Sequence, residues 1–275
     1  MKFKISASLV IYNCKPELFV NAAMSFLNGC EKGILVISDN SDSPLSHPLL
    51  ENPRVRYIFN NANVGFGAAH NIAFSAIGSN SDFHLILNPD ITFLPDVIPR
   101  IVKVMQHSLE IGVLMPRINY PDGSLQRLCK LLPTPIDLIF RRFVPIKSLQ
   151  NRINCRYELH DLPQDKLLDV PSISGCFLML RSQLLRDIGG FDERYFMYLE
   201  DVDLVRRIGA LARVVYDPRV SVVHEYAKGS YRNKKLLVYH MKSAVLYFTK
   251  WGWLFDMQRK KRNAVTLLHL QHLLK

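Results

Sequence analysis

The sequence predicts an α/β fold: a doubly wound, mostly parallel sheet with a basic helical extension at its C-terminal end. Three observations carry this reading. Strand-like and helix-like segments alternate from Ile5 to Met115, the order that right-handed crossovers between parallel strands produce. The run Phe83-His84-Leu85-Ile86-Leu87 has almost no polar face, as a strand covered on both sides requires. The strand-like runs also end in polar or acidic residues, Asn13, Asp39 and Asp90 among them, and open α/β sheets bind ligands at that end of their strands.

Taken in order, Ile5–Tyr12 is the first strand. Met1-Lys2-Phe3-Lys4 before it has the look of a secretory leader, but Asn13-Cys14-Lys15 offers no small-residue cleavage site. A helix follows from Pro16 to about Leu27, with proline in its first turn and Leu18, Ala22 and Phe26 at helical spacing. Ile34–Ser38 and Val55–Phe59 are the second and third strands, the second running into Asp39-Asn40-Ser41-Asp42. Asn63-Val64-Gly65-Phe66-Gly67 leads into a helix from about Ala68 to Ile77, and its glycines either let backbone approach a ligand or make a tight loop. After strand 83–87, Asn88-Pro89 stops the ladder and leaves Asp90 at the strand end. A carboxylate there either holds a hard cation or opens the next helix, near Asp96–His107; a short strand at Val113–Met115 follows.

Beyond Asn119 the pattern changes. Pro121-Asp122-Gly123 is a turn signal with Ser124-Leu125-Gln126 as its returning arm, and Ile136 to Asn154, punctuated by nearby prolines, fits a loop, a lid beside the site, or a linker. Val170–Leu180 is apolar and contains Ser174-Gly175-Cys176, where glycine leaves room for a substrate against the strand. Glu200-Asp201-Val202-Asp203 then packs three acids into four residues. In the first turn of a helix they suit the macrodipole, but that explains one acid better than three. Arg206 and Arg207, three and four residues after Asp203, are placed to neutralise it and leave Asp201 as a base.

Composition narrows the function classes. The hydrophobic fraction of 48% is that of a globular core. The net charge of +11 is concentrated at the end, where Lys228 to Lys275 holds eleven basic residues and one acid, Asp256. That asymmetry calls for an anionic partner at the tail rather than a nucleic-acid-binding protein throughout. Five cysteines with no C-x-x-C spacing read as reduced, mostly buried thiols of a cytosolic protein. No run reaches the roughly 18 apolar residues of a membrane span, so a soluble or peripheral protein is expected. A dinucleotide fingerprint and a P-loop are both missing after the first strand. So is the glycine- and arginine-rich loop of a sugar-phosphate nucleotidylyltransferase.

Six blocks together resemble the family 2 glycosyltransferases, in that family's order. They are Asp39-Asn40-Ser41, Asn63-x-Gly65-x-Gly67, Asn88-Pro89-Asp90, Gly189-Gly190-Phe191-Asp192-Glu193, Phe196-Met197-Tyr198 and Glu200-Asp201-Val202-Asp203. The resemblance covers residues 5–230 and implies a GT-A fold, a nucleotide-sugar donor, Mg²⁺ or Mn²⁺, and inversion at the anomeric carbon. It further implies Asp201 as catalytic base with Glu200 beside it, and Asp90 and His224 as metal ligands. Donor contacts are implied at Tyr12, Asn13, Asp39, Asn63, Gly65, Asn71, Asn88 and Ser230, and acceptor contacts at Gly175, Cys176 and Asp203. Asn88 stands where many members have a second Asp, which leaves a bound diphosphate to supply most oxygen ligands. Pro121-Asp122-Gly123-Ser124-Leu125-Gln126 with Pro133-Thr134 is similar to the rhamnosyltransferase subgroup. That points to dTDP-L-rhamnose ahead of UDP-hexoses, and to a glycan or lipid-linked glycan acceptor in bacterial lipopolysaccharide or O-antigen synthesis. A catalytically inactive binding protein on the same fold is the other reading, and intact Asp90, Glu200 and Asp201 argue against it.

Residues 231–275 are expected to form an amphipathic basic extension to a catalytic domain of residues 1–230. Leu237, Met241, Val245 and Phe248 recur at helical spacing, a pattern that packing on the domain explains as well as a membrane does. Trp251-Gly252-Trp253-Leu254-Phe255 followed by Arg259-Lys260-Lys261-Arg262 favours an anionic membrane surface. The expected location is cytoplasmic, peripheral on the inner face of the cell membrane, with no nucleic-acid partner.

Overall fold

A computed structural model of the chain describes residues 3–138, 147–225 and 234–273. Strands β1 (Ile5–Ile11), β2 (Ile34–Asp39), β3 (Val55–Phe59) and β4 (Phe83–Leu87) pair in parallel in the order β3-β2-β1-β4. Helices α1 (Pro16–Gly29) and α2 (Phe66–Ile77) make the crossovers. They lie on opposite faces. Val36 packs with Ala73 and Ile77 of α2, whereas its neighbours Leu35 and Ile37 join Phe19 and Phe26 of α1 in the main core. Every residue of β1 and of β4 is buried, which is why those runs are mostly apolar, with Ser6, Ser8 and His84 as the exceptions.

The chain continues through β5 (Ile91–Thr92), α3 (Val97–His107), β6 (Ile111–Asn119), β7 (Cys129–Lys130), a helical turn α4 (Pro135–Leu138), α5 (Lys147–Tyr157), β8 (Leu168–Asp169), β9 (Ser172–Ile173) and β10 (Phe177–Arg181). Then come α6 (Ser182–Asp187), α7 (Glu200–Ile208), β11 (Arg213–His224), α8 (Lys234–Trp251) and α9 (Met257–Leu273). Strand β10 lies between β4 and β6, antiparallel to both, and β11 runs parallel to β6. Strands β5 and β8 add antiparallel to β11. Six of the nine strands therefore point one way, with β10 inserted antiparallel among them and β5 and β8 antiparallel beside β11, the arrangement expected of a GT-A fold.

Several expectations change. The short strand at Val113–Met115 is a nine-residue strand, because its polar end, Arg117 to Asn119, pairs with β11. The apolar run Val170–Leu180 is two strands separated by a turn at Gly175-Cys176. The segment expected as a loop, lid or linker contains α5, a polar helix with no glycine or proline in its span; residues 139–146 lie outside the described part. The Pro121-Asp122-Gly123 turn does form, with Tyr120 N–H donating to Ser124 O at 2.8 Å, although only an isolated bridge joins its arms. All five cysteines are free; Cys30, Cys129 and Cys176 are buried, and Cys155 is exposed. Among the described residues no helix is long and apolar enough to cross a membrane.

Candidate active site

The parallel register sets Ile11 beside Asp39 and Asp39 beside Phe59, so the C-terminal ends of β1, β2 and β3 form one edge. The next residues continue it: Asn40 N–H donates to Ile11 O and Asn60 N–H to Asp39 O, each at 2.9 Å. Tyr12 and Asn13 are exposed on this edge, Asn13 with φ of 46°. Asn13 donates its backbone N–H to Ser41 Oγ and its side-chain amide to Asp42.

Two more segments close on the edge. Asn88 N–H donates to Cys176 O at 2.9 Å, and the neighbouring Gly175 N–H donates to Asp201 Oδ2 at 2.8 Å. The turn between β9 and β10 thus joins the end of β4 to the start of α7. Asp90 and Asp201 both raise the buried Cys176 thiol, which burial first and these two charges after it push up to about 12.

Asp201 is the second residue of α7, and the two residues before the helix, Tyr198 and Leu199, both have positive φ, 69° and 64°. Such non-glycine conformations cost about 1–3 kcal/mol each and persist where packing imposes them. Asp201 Oδ1 accepts from Val202 N–H at 2.8 Å, completing a two-donor clamp with Gly175. Burial raises its pKa, and those two N–H groups, then Lys130, oppose the rise. Glu200 is more extreme. It is 6% exposed, its Oε2 is buried without a hydrogen bond, and burial, then the Asp201 charge, hold its pKa well above the usual carboxylate range. Burial therefore acts against the charged form of Glu200 with little to oppose it, whereas the two N–H groups favour the charged form of Asp201.

The pairing of β5 with β11 sets His224 opposite Ile91 and so brings together Asp90 and His224. Asp90 Oδ1 lies 3.2 Å from His224 Nε2. Gln126 holds the imidazole from the other side: its Nε2 donates to His224 O at 2.8 Å, and its Oε1 lies 2.9 Å from His224 Nδ1. His224 Nε2 is thereby aimed at the Asp90 carboxylate. An imidazole nitrogen and a carboxylate oxygen side by side at a strand end are donor types that a divalent cation takes, so Asp90 and His224 fit a metal ion. Among the described residues no third His, Cys, Asp or Glu joins them. Gln126 was not anticipated; its place in the returning arm of the turn was the available signal.

Other expected site residues are placed differently. Asp39 is fully buried, with Oδ1 accepting from Ser41 N–H and Oδ2 from Tyr57 hydroxyl, at 2.8 and 2.7 Å. A Cβ on Gly65, whose φ is 91°, would run into Phe196 O, so the missing side chain makes room for the loop ahead of α7. Asn63 caps that glycine, accepting from its N–H at 3.1 Å. Gly175 likewise makes room for Asp201 itself, whose Cβ would lie 2.9 Å from an added Cβ. Asn71 clamps the Gly190-Phe191 turn, bonded to Phe191 N–H and O and to Glu193, and is not turned to the strand ends. Asp203 is fully buried and bound by Arg207, Lys250 and Trp251, which removes it from an acceptor's reach. Arg206 turns away from it toward Asp256, at 2.7 Å. Ser230 lies outside the described residues.

A profile of the Glycosyl transferase family 2 matches residues 9–189, a span that stops short of α7 and His224. The N-acetylglucosaminyl-diphospho-decaprenol L-rhamnosyltransferase of Mycobacterium tuberculosis is 31% identical over 211 residues, 71% of this chain and 67% of that protein. The rhamnosyltransferase WbbL of Escherichia coli K12 is 23% identical over 254 residues, covering 88% and 92%. Among solved structures, a mannosyltransferase of Pyrobaculum calidifontis in complex with GDP-Man and Mn²⁺ aligns at a TM-score of 0.56 with 15% identity, over 98% of this chain and 75% of its own. GalNAc-T7 with UDP, GalNAc and Mn²⁺ aligns at 0.62 with 14% identity over 91% of this chain, which spans half of that structure's length.

Proposed function

The chain belongs to glycosyl transferase family 2, and from that premise we propose that it is an inverting rhamnosyltransferase moving L-rhamnose from dTDP-L-rhamnose to a hydroxyl of a lipid-linked glycan. The observation that carries the reading is the environment of Asp201: a half-buried carboxylate clamped by two N–H groups at a ligand-binding sheet edge, beside a Glu200 whose pKa burial holds well above the usual carboxylate range. Asp201 takes the proton of the acceptor hydroxyl while that oxygen bonds to the anomeric carbon, and the bond to the donor phosphate breaks on the opposite face. General-base help of this kind contributes about 10²–10⁴ in rate, roughly 3–5 kcal/mol. Asp90 and His224 would hold Mg²⁺ or Mn²⁺, which supplies positive charge for a leaving diphosphate. Tyr12, Asn13 and Asn88 line the donor edge, with Asp39 stiffening it from beneath, and Cys176 lies between donor and acceptor sides. The choice of sugar and acceptor draws on the named activities of the relatives. A catalytic part to about residue 230 with an extension after it, working at the inner face of the membrane in cell-surface glycan synthesis, completes the proposal.

The test is a screen of nucleotide sugars for turnover and thermal shift, with and without EDTA. dTDP-L-rhamnose is expected to be turned over, EDTA to stop it, and Asp90→Ala to lose the EDTA-sensitive part of donor binding. A preference for a UDP-hexose would replace the sugar and leave the rest. No donor bound or turned over would remove the catalytic reading, and equal donor affinity with and without EDTA in both proteins would remove the metal.

A further inference from the structure

The turn between α8 and α9 presents a set of outward apolar side chains. Leu254 is 78% exposed, Phe255 94% and Met257 78%, with Trp253 at 41% beside them. The exposed stripe continues along α9 through Val265 and Leu268, at helical spacing from Met257 and Lys261. Large apolar groups held in water one after another are costly unless something covers them.

The turn is held from within. Gly252, with φ of 100°, lets the chain reverse where a Cβ would meet Phe255 O, and Trp253 packs on Phe248 with ring centroids 5.1 Å apart. Arg259 points inward, reaching Trp253 O at 3.3 Å and Pro133 O at 3.2 Å. Asp256, between the exposed Phe255 and Met257, is buried against Arg206 at 2.7 Å. Trp251, just before the turn, donates its indole N–H to Asp203 at 2.7 Å. Both Asp203 and Arg206 belong to α7, the helix that begins with Glu200 and Asp201. Arg206 is five residues beyond Asp201, roughly 7–8 Å along the helix axis.

The charges say what covers the tip. Asp256 is the sole acid from 234 to 273, and it is buried. The exposed surface of this helical pair therefore offers Lys242, Lys260 and Lys261 and no carboxylate, while Arg262 is spent inward on Arg206 O and Pro171 O. Apolar side chains flanked by cations and no anions complement an anionic lipid surface. They would repel a second copy of the same face.

We propose that the Trp253 to Met257 turn is a rigid membrane-inserting tip, braced on α7 so that it sets Asp201 at a fixed height above an anionic bilayer. The insertion stands on the tip alone; the height-setting role rests on the reading of a lipid-linked acceptor. The double variant Leu254→Ser/Phe255→Ser alters only exposed side chains and should fold with an unchanged melting temperature. Wild type is expected to sediment with phosphatidylglycerol-containing vesicles at least tenfold more tightly than with phosphatidylcholine vesicles, and its tryptophan emission to be quenched by brominated lipid. The variant should lose at least tenfold of that binding and of transfer to a vesicle-embedded acceptor, while keeping dTDP-L-rhamnose hydrolysis and transfer to a short soluble acceptor. Equal vesicle binding by the two proteins would overturn the tip, as would light scattering showing that the variant merely dissociates a wild-type dimer. Lost binding with undiminished transfer to the embedded acceptor would overturn the height-setting role. Absent turnover in both proteins, with the wild type bound to vesicles and the variant released, would count against the transferase reading and not against the tip.

Discussion

Glu200 and Asp201 are consecutive residues of one type of chemistry with opposite environments. Asp201 has two backbone donors on its oxygens, and Glu200 has burial, an adjacent charge and a buried Oε2 without a bond. A carboxylate that accepts N–H bonds is favoured in its charged form, and one that is only desolvated is not. Substitutions should therefore separate them. Asp201→Asn is expected to lower the rate of transfer by at least about a hundredfold with donor affinity kept, whereas Glu200→Gln, at a buried group whose charged form burial disfavours, should retain most of the rate. Steady-state kinetics at saturating donor decide it; equal losses in the two variants would mean that the proton is shared or that Glu200 is the base. Spacing brought the three acids to notice and assigned both arginines to Asp203, and the family resemblance put Asp203 on the acceptor side. It could not show that Asp203 would be needed to tie down Lys250 and Trp251, residues almost fifty positions away.

Between elements, the parallel sheet is locked to α2 by a polar chain in its interior. Ser8 of β1 bonds both His70 of α2, at 2.6 Å, and His84 of β4, at 2.9 Å, and Ser6 bonds the other nitrogen of His84 at 2.8 Å. Burial lowers the pKa of His84 to about 3, and burial, then His84, lowers that of His70 well below 6.5. As pH falls, the unfolded chain takes up these protons before the folded one does. For His84 the stabilisation is thus complete above about pH 6.5 and is lost toward pH 3, at about 1.4 kcal/mol per pH unit, and His70 adds a loss in the same direction. Urea titrations between pH 7 and pH 4 should show this slope, and His84→Gln should flatten it by one histidine's share; an identical slope in the variant would exclude His84. The elements themselves were legible wherever local pattern and burial agree, as in β1, α1, α2, β3 and β4. They were not legible where pairing decides, as in β8 and the polar end of β6, because two residues, or a strand end without apolar alternation, acquire strand character only from a partner.

At the scale of the molecule the C-terminal helices are part of the body. Tyr247 and Phe248 are fully buried, and Arg206 is sealed among Asp256, the Tyr247 hydroxyl and the Trp251 ring, 4.1 Å from its guanidinium. Asp256→Ala leaves that buried guanidinium without its counter-charge and should cost about 3–5 kcal/mol, read as a lower melting temperature and urea midpoint of the whole protein. A change below about 1 kcal/mol would show that the pair is not integral. For the same reason, cutting the chain after Lys250 would test stability and not location. What the sequence determined by itself is what period and composition control: an α/β order, polar residues at the strand ends, an acidic cluster opening a helix, a basic apolar tail, and the blocks of a transferase family. Which side chains meet was decided only by the tertiary structure. Asp90 and His224 come together through the β5 and β11 ladder, Gly65 and Gly175 serve protein neighbours, and half of a basic cluster points inward. The reason is that helical and strand periods set which face a residue is on, whereas partners are chosen by long-range packing, where an inward-facing polar group takes whichever bond the fold brings to it.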